Sequence, residues 1–249
     1  MADLTDQQKH EIVDSGYTIL PGVVPPDMVG AALRTINAGL GLGHDPAQLR
    51  TFQAQTWCPD RTGDPAIIDL LTRTPALALA ESAIGAGQIQ PVNYGQIALR
   101  FPIDGEAGEI HPHIDGMYSP HNGVPKGQIS NFTALVGVYL SDVPTEYAGN
   151  FTVWPGSHRK YADYFEREGA EALLRGMPPV DIGEPVQTRP RAGDVVLSHY
   201  QIGHSVAPNT SPHVRYAIYF RLHKVGHDAI KREVMTDIWR EWDGLRSAL

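Results

Sequence analysis

The chain has 249 residues, 42% hydrophobic and 19% charged, enough for one large domain whose core needs no covalent staples. Twenty Lys and Arg against 28 Asp and Glu give a net charge of −8, which argues against binding along a nucleic-acid backbone. The single cysteine, Cys58, excludes an intramolecular disulfide and a thiolate metal cluster, and the 25 glycines and 20 prolines are scattered as turn formers, not gathered into a disordered tract.

The first sixteen residues lack a basic stretch leading into an apolar one, so no secretory signal is expected. No apolar run approaches the roughly 18 residues of a membrane span. A cytoplasmic protein without membrane or nucleic-acid partners is the expectation.

In chain order, Asp6 is placed to cap a short helix through Val13 that ends at Gly16, and Tyr17 to Leu20 reads as a short strand. Pro25-Pro26-Asp27 opens an amphipathic helix carrying Met28, Val29, Ala32, Leu33 and Ile36 at helical spacing. Residues 44–63, with Arg50, Gln53, Gln55 and Trp57, show no periodicity and read as a long loop suited to a lid. Two more helices follow, Asp64 to Leu71 and Pro75 to Ile84.

After Gly87 short apolar runs alternate with turn residues: Ile89 to Phe101, Ile110 to Ile114, Phe132 to Leu140, Asn150 to Trp154, Val186 to Thr188, Val195 to His199 and Arg215 to Leu222. A helical insert over 159–175 interrupts them, and a helix over 228–242 closes the chain. The expected architecture is a single domain over 1–249 of the α+β, β-rich class. A helical part (about 1–86) packs outside a jelly-roll, cupin-like barrel core (about 87–223), followed by the closing helix.

The chemistry concentrates in three places. His113 and Asp115 lie two residues apart, so in extended chain both side chains point to one face and can approach one ion. Together they supply two members of a 2-His-1-carboxylate triad, which fills one face of Fe(II) and leaves positions for co-substrate and dioxygen. His204 offers the third donor, and Arg215, eleven residues on, opens a strand where a buried guanidinium can grip a carboxylate with two parallel hydrogen bonds.

With these residues the chain resembles the phytanoyl-CoA dioxygenase-like branch of the Fe(II)/2-oxoglutarate-dependent oxygenases. The likeness rests on His113, Asp115, His204 and Arg215, on the Pro-Gly-Ser-His ending of Asn150 to His158, and on the opening from Gly16 to Val24. It runs from about residue 10 to 223. It implies a double-stranded β-helix, Fe(II) on His113, Asp115 and His204, and 2-oxoglutarate with its far carboxylate on Arg215. It also implies hydroxylation, or another oxidation, of a small organic molecule by O2 with release of succinate and CO2.

The same resemblance places Gln96 beside 2-oxoglutarate, and the carboxylate at Asp115 argues against halogenation. Two positions depart from relatives: Arg100 stands where an asparagine is found, and Val206 where a serine helps bind the co-substrate, with Tyr216 or Thr133 as possible replacements. Arg100, His111, Met117, Tyr118 and Trp154 are the substrate-contact candidates, and the loop 115–126 is expected to face the substrate because it leaves the ligands directly. His121, His213, His223 and His227 read as surface or satisfied polar residues, and His158 as a turn-bonding one. Two other readings stand beside this one: a non-catalytic small-molecule-binding jelly roll, and a cupin-type metalloenzyme using His111 and His113 without 2-oxoglutarate.

Overall fold

The computed structural model describes residues 2–249. Two antiparallel sheets face each other, one of five strands and one of three, and helices cover the outside of the larger. The large sheet runs in the order β1 (Tyr17–Leu20), β6 (Val195–His199), β3 (Ala134–Tyr139), β8 (Arg215–Leu222), β2 (Gln96–Arg100). The small sheet is β5 (Val186–Gln187), β4 (Phe151–Val153), β7 (His204–Val206).

Side-chain alternation divides the large sheet into two faces with different tasks. Ile97, Leu99, Val136, Val138, Leu197, Ile218 and Phe220 point outward and pack on Ile12, Val29, Ile36, Ile67 and Leu70. These partners belong to helices α1 (Asp6–Ser15), α2 (Pro26–Leu40) and α4 (Pro65–Thr72). The intervening residues, including Ala98, Leu135, Tyr139, Ala217 and Tyr219, point inward toward Phe151 and Val153 of the small sheet. A one-residue slip of β8 would exchange Arg215, Tyr219 and Arg221 for Tyr216, Ile218 and Phe220, so burial on both faces fixes the register.

Several boundaries differ from the expected ones, each for a local reason. Helix α1 is capped by Thr5 rather than Asp6, through a reciprocal capping box with Gln8. Residues 44–63 hold a 3-10 turn (Pro46–Gln48) capped by Asp45 and then a short helix, α3 (Leu49–Ala54); the helix buries no residue, so the sequence carries no apolar stripe to betray it. Helix α5 (Pro75–Ile84) is where the proline at its start places it.

Ile110 to Ile114 forms no strand: Pro112 has no donor, and only His113 pairs, with His204. The insert over 159–175 is helix α6 (Ser157–Glu168) followed by a 3-10 turn at Ala170–Arg175. The closing helix is absent as such. A four-residue helix α7 (His227–Ile230) is followed by short 3-10 turns, because side chains from the sheet take up main-chain carbonyls there. His199 Nε2 bonds the Ile238 carbonyl at 2.9 Å, and the Gln201 amide donates to that of Met235 at 3.1 Å.

Candidate active site

His113 and His204 meet through their main chains before their side chains. Each N–H donates to the other's carbonyl, at 2.8 and 2.9 Å, and the rings lie 4.3 Å apart between centroids. The bend before His204 is braced by the Pro-Gly-Ser-His segment: Ser157 Oγ donates to the Trp154 carbonyl at 2.6 Å and accepts from the Gly203 N–H at 2.8 Å. Asp115 follows on the extended chain, and its Oδ1 sits 3.6 Å from His113 Nε2 and 3.8 Å from His204 Nε2. The three donor atoms lie within 4.8 Å of one another, a spacing that one ion can span.

The electrostatics suit a ligand set. The Nδ1 of His204 sits 3.0 Å from the Ile202 carbonyl, which assigns the proton to that nitrogen and leaves Nε2 with a free lone pair toward Asp115. Burial, then the neighbouring His113, lower the His204 imidazole to about 4, so it is neutral near pH 7. Burial alone would raise the Asp115 carboxyl, but Arg221 above all, then the two imidazoles, hold it well below the usual range. Two imidazoles and a carboxylate form a donor set that fits a divalent first-row metal.

The donors open onto a cavity of about 820 Å³. The segment 44–63 contributes Gln53, Ala54 and Gln55 to its wall, and the loop after Asp115 contributes Met117, Tyr118, Ser119 and Asn122. Gln55 Nε2 donates to the His121 carbonyl at 2.9 Å, tying the two segments together. Gly116, at φ +90°, lets the loop leave Asp115 pressed against the Ser130 and Asn131 backbone, where a Cβ would lie only 2.9 Å away.

Arg215 is 1% exposed on the inner face of β8. Its Nε donates to the Gly149 carbonyl at 2.7 Å and its Nη1 to that of Ala98 at 3.0 Å, while Nη2 is buried without a partner among the described residues. An unsatisfied buried guanidinium nitrogen is costly and fits an anionic ligand group. The nearby cavity wall is made by Ala98, Arg100 and Tyr219. Arg100 stands opposite Arg215 across the β2–β8 ladder, and burial followed by that like charge lower it to about 10.

Gln96, Arg100, Met117 and Tyr118 line the same cavity as the three donors. His111 and Trp154 do not. His111 is exposed beside Glu109, at a separate shallow depression shared with Tyr147 and Gln187. Trp154 is buried in the core between the sheets. Tyr216 and Thr133 do not enter the cavity wall either: the Tyr216 hydroxyl donates to Asn37 at 3.0 Å and Thr133 to Glu241 at 2.8 Å. Tyr219, which does line the cavity, has its hydroxyl 3.3 Å from that of Tyr139. His158 bonds across the fold to the Val13 carbonyl at 3.2 Å rather than within its own turn, and His227 is fully buried and satisfied by Glu241 and the Asn131 carbonyl.

One residue was not foreseen. Arg221 donates to Asp115 Oδ2 from Nε at 3.0 Å, with Nη2 2.8 Å from the same oxygen, and its Nη1 donates to Gln96 Oε1 at 2.8 Å. The signal was present: residues 215, 217, 219 and 221 share one face of β8, so an inward Arg215 requires an inward Arg221.

Comparison with known proteins bears on the fold and the family. Among solved structures, HygX from Streptomyces hygroscopicus, crystallised with iron bound, is similar at 18% identity and a TM-score of 0.60, over 90% of this chain and 88% of its own. The α-ketoglutarate-dependent carbocyclase SnoK of nogalamycin biosynthesis is 21% identical, with a TM-score of 0.59, over 92% of this chain and 90% of its own. EctD from S. alaskensis, with 2-oxoglutarate and 5-hydroxyectoine, is 18% identical, with a TM-score of 0.59, over 89% of this chain and 77% of its own. These likenesses carry the fold, a double-stranded β-helix with outer helices. No curated protein matches the sequence. The sequence profile of one family, described as phytanoyl-CoA dioxygenase (PhyH), spans residues 12–217, so the chain belongs to that family of non-haem iron, 2-oxoglutarate-dependent oxygenases.

Proposed function

We propose that His113, Asp115 and His204 hold the iron, and that Arg215 pairs with the far carboxylate of 2-oxoglutarate in an oxidation, most simply a hydroxylation, of a small organic molecule. The observation that supports this most directly is the combination of three converging donors with a buried, unpartnered Arg215 nitrogen in the same inner layer. When bound, iron with 2-oxoglutarate and dioxygen supplies the oxidising power to attack an unactivated C–H bond.

The chain's own residues bind, orient and exclude water. His204, neutral and fixed in one tautomer by Ile202, donates to metal without first losing a proton. Arg215, already committed to Gly149 and Ala98, is preorganised to receive a carboxylate on Nη2. Arg100, Met117 and Tyr118 are placed to meet the substrate, and a cavity of about 820 Å³ leaves room for one beside the co-substrate. His111, exposed outside the cavity, is poorly placed for the cupin-type donor set that would need it.

The acidic balance, −8, favours a small-molecule substrate over a nucleic acid, and the unpaired Cys58 fits a cytoplasmic setting. Among the described residues no helix is long and apolar enough to cross a membrane. The decisive experiment is anaerobic: Fe(II), then 2-oxoglutarate, added to metal-stripped protein. A weak visible iron-to-keto-acid charge-transfer band in the wild type, lost in Asp115→Ala, is the expected result. Absence of the band at saturating ligand overturns the assignment.

A further inference from the structure

We infer that Arg221 is a positioning residue of the metal centre: it holds Asp115 as a one-oxygen donor, and Gln96 in turn holds Arg221. The inference rests on the reading of His113, Asp115 and His204 as metal ligands. The two oxygens of Asp115 have different surroundings. Oδ1 faces the two histidine nitrogens at 3.6 and 3.8 Å, whereas Oδ2 meets Nε and Nη2 of Arg221 at 3.0 and 2.8 Å. A metal that engaged both carboxylate oxygens would have to displace two charge-assisted contacts, so the guanidinium reserves one oxygen for the ion. A one-oxygen carboxylate keeps an additional coordination position available to co-substrate or dioxygen.

The guanidinium has two further contacts, although it faces the open cavity. Nη1 donates to Gln96 Oε1 at 2.8 Å, and Cζ lies 5.6 Å above the centroid of the Phe132 ring. β8 supplies Arg221 and the adjacent β2 supplies Gln96, so the large sheet sets the carboxylate's orientation from outside the ligand set. Gln96 thereby acquires a role different from contact with 2-oxoglutarate: its carbonyl is occupied by Arg221. The rival role for Arg221, an arm for a substrate anion that rests on Asp115 only in passing, predicts the opposite response of the metal. Removing or loosening a positive charge beside a dication would leave metal affinity unchanged or raise it.

The test is titration of the metal-stripped full chain with Co(II), by calorimetry and by the visible ligand-field spectrum, in the wild type, Arg221→Lys, Gln96→Met, Gln96→Glu and Asp115→Ala. Lysine keeps the charge but cannot place two donors on one oxygen. Arg221→Lys is therefore expected to weaken Co(II) binding by about tenfold and to change the band shape, as loss of a ligand-orienting contact does. Gln96→Met is expected to give a smaller loss in the same direction, and Gln96→Glu, which anchors Arg221 ionically, to retain affinity and spectrum. Wild-type affinity and spectrum in Arg221→Lys overturn the inference. If thermal melting shows that Arg221→Lys does not fold, Gln96→Met decides, and an unchanged affinity and spectrum there overturn it equally. Wild-type and Asp115→Ala proteins that bind Co(II) alike would instead remove the triad assignment, and this inference with it.

Discussion

At the scale of single residues, the proposed assignment separates metal holding from co-substrate holding, and the separation can be measured. Arg215→Ala removes the only buried guanidinium with a free nitrogen among the described residues while leaving the three donors in place. It should weaken 2-oxoglutarate binding by about 2 kcal/mol, roughly thirty-fold, with metal affinity preserved. Co-substrate titration of the metal-loaded protein checks this, and equal affinity in the variant would remove Arg215 from the assignment. Asp115→Ala should show the converse pattern, abolishing tight metal binding itself.

Most of these residues were legible from spacing: two donors at i and i+2, a third after a bend, and an arginine opening the following strand. Arg221 was harder to find because nothing in a one-dimensional pattern says which carboxylate an inward arginine will meet. His111 and Trp154 show the complementary failure. His111 lies two residues from His113 in sequence yet is exposed outside the cavity, and Trp154, at the end of an inner strand, belongs to the intersheet core.

At the scale of elements, the turns that deliver the ligands are as demanding as the strands. Gly116 adopts φ +90° with the Ser130 and Asn131 backbone 2.9 Å from where a Cβ would stand. Gly116→Ala should cost upward of about 1 kcal/mol from the left-handed backbone alone. It should also weaken metal binding, because the strain is relieved by shifting Asp115; denaturant melts and Co(II) titration of one preparation test both effects. Gly16, the αL end of helix α1, is similarly constrained: its φ is +85°, and a Cβ there would meet His158 Nδ1 at 2.7 Å. Gly16→Ala should lower the melting temperature without altering metal affinity.

Helix starts were largely readable, since Pro26, Pro65 and Pro75 each sit at a first helical position. Helix α3 and the turns after α7 were not. The first buries no residue, and the second presents helical spacing that side chains of His199 and Gln201 override by taking its carbonyls.

At the scale of the whole molecule, buried histidines couple the fold to pH. Burial pushes His158 down to about 3 and His199 and His204 down to about 4, so all three are neutral in the native state near pH 6, whereas in the unfolded chain they titrate near 6.5. Between those values the unfolded state binds more protons than the native one, so stability falls as pH drops from about 6.5 toward 4. Each group contributes on the order of 1 kcal/mol per pH unit in that window. Urea unfolding of the metal-free protein at pH 7, 6 and 5 should show a progressive loss, and His199→Gln should make it shallower. A flat profile would contradict the neutral burial of these imidazoles.

What the sequence determined by itself was everything carried by local periodicity and by short fixed spacings. The strands follow from apolar runs between turn residues, several helix starts from proline, and the candidate site residues His113, Asp115, His204 and Arg215 from their spacing. The tertiary structure alone decided which of two neighbouring side chains enters the cavity, and which of two carboxylate oxygens is left for a metal. It also decided that a segment of helical spacing would be unwound by partners more than thirty residues away. The physical reason is the same in each case: hydrogen-bonding groups are satisfied by whichever partner is nearest in space. In this fold that partner is set by how two sheets face each other, which no stretch of chain encodes on its own.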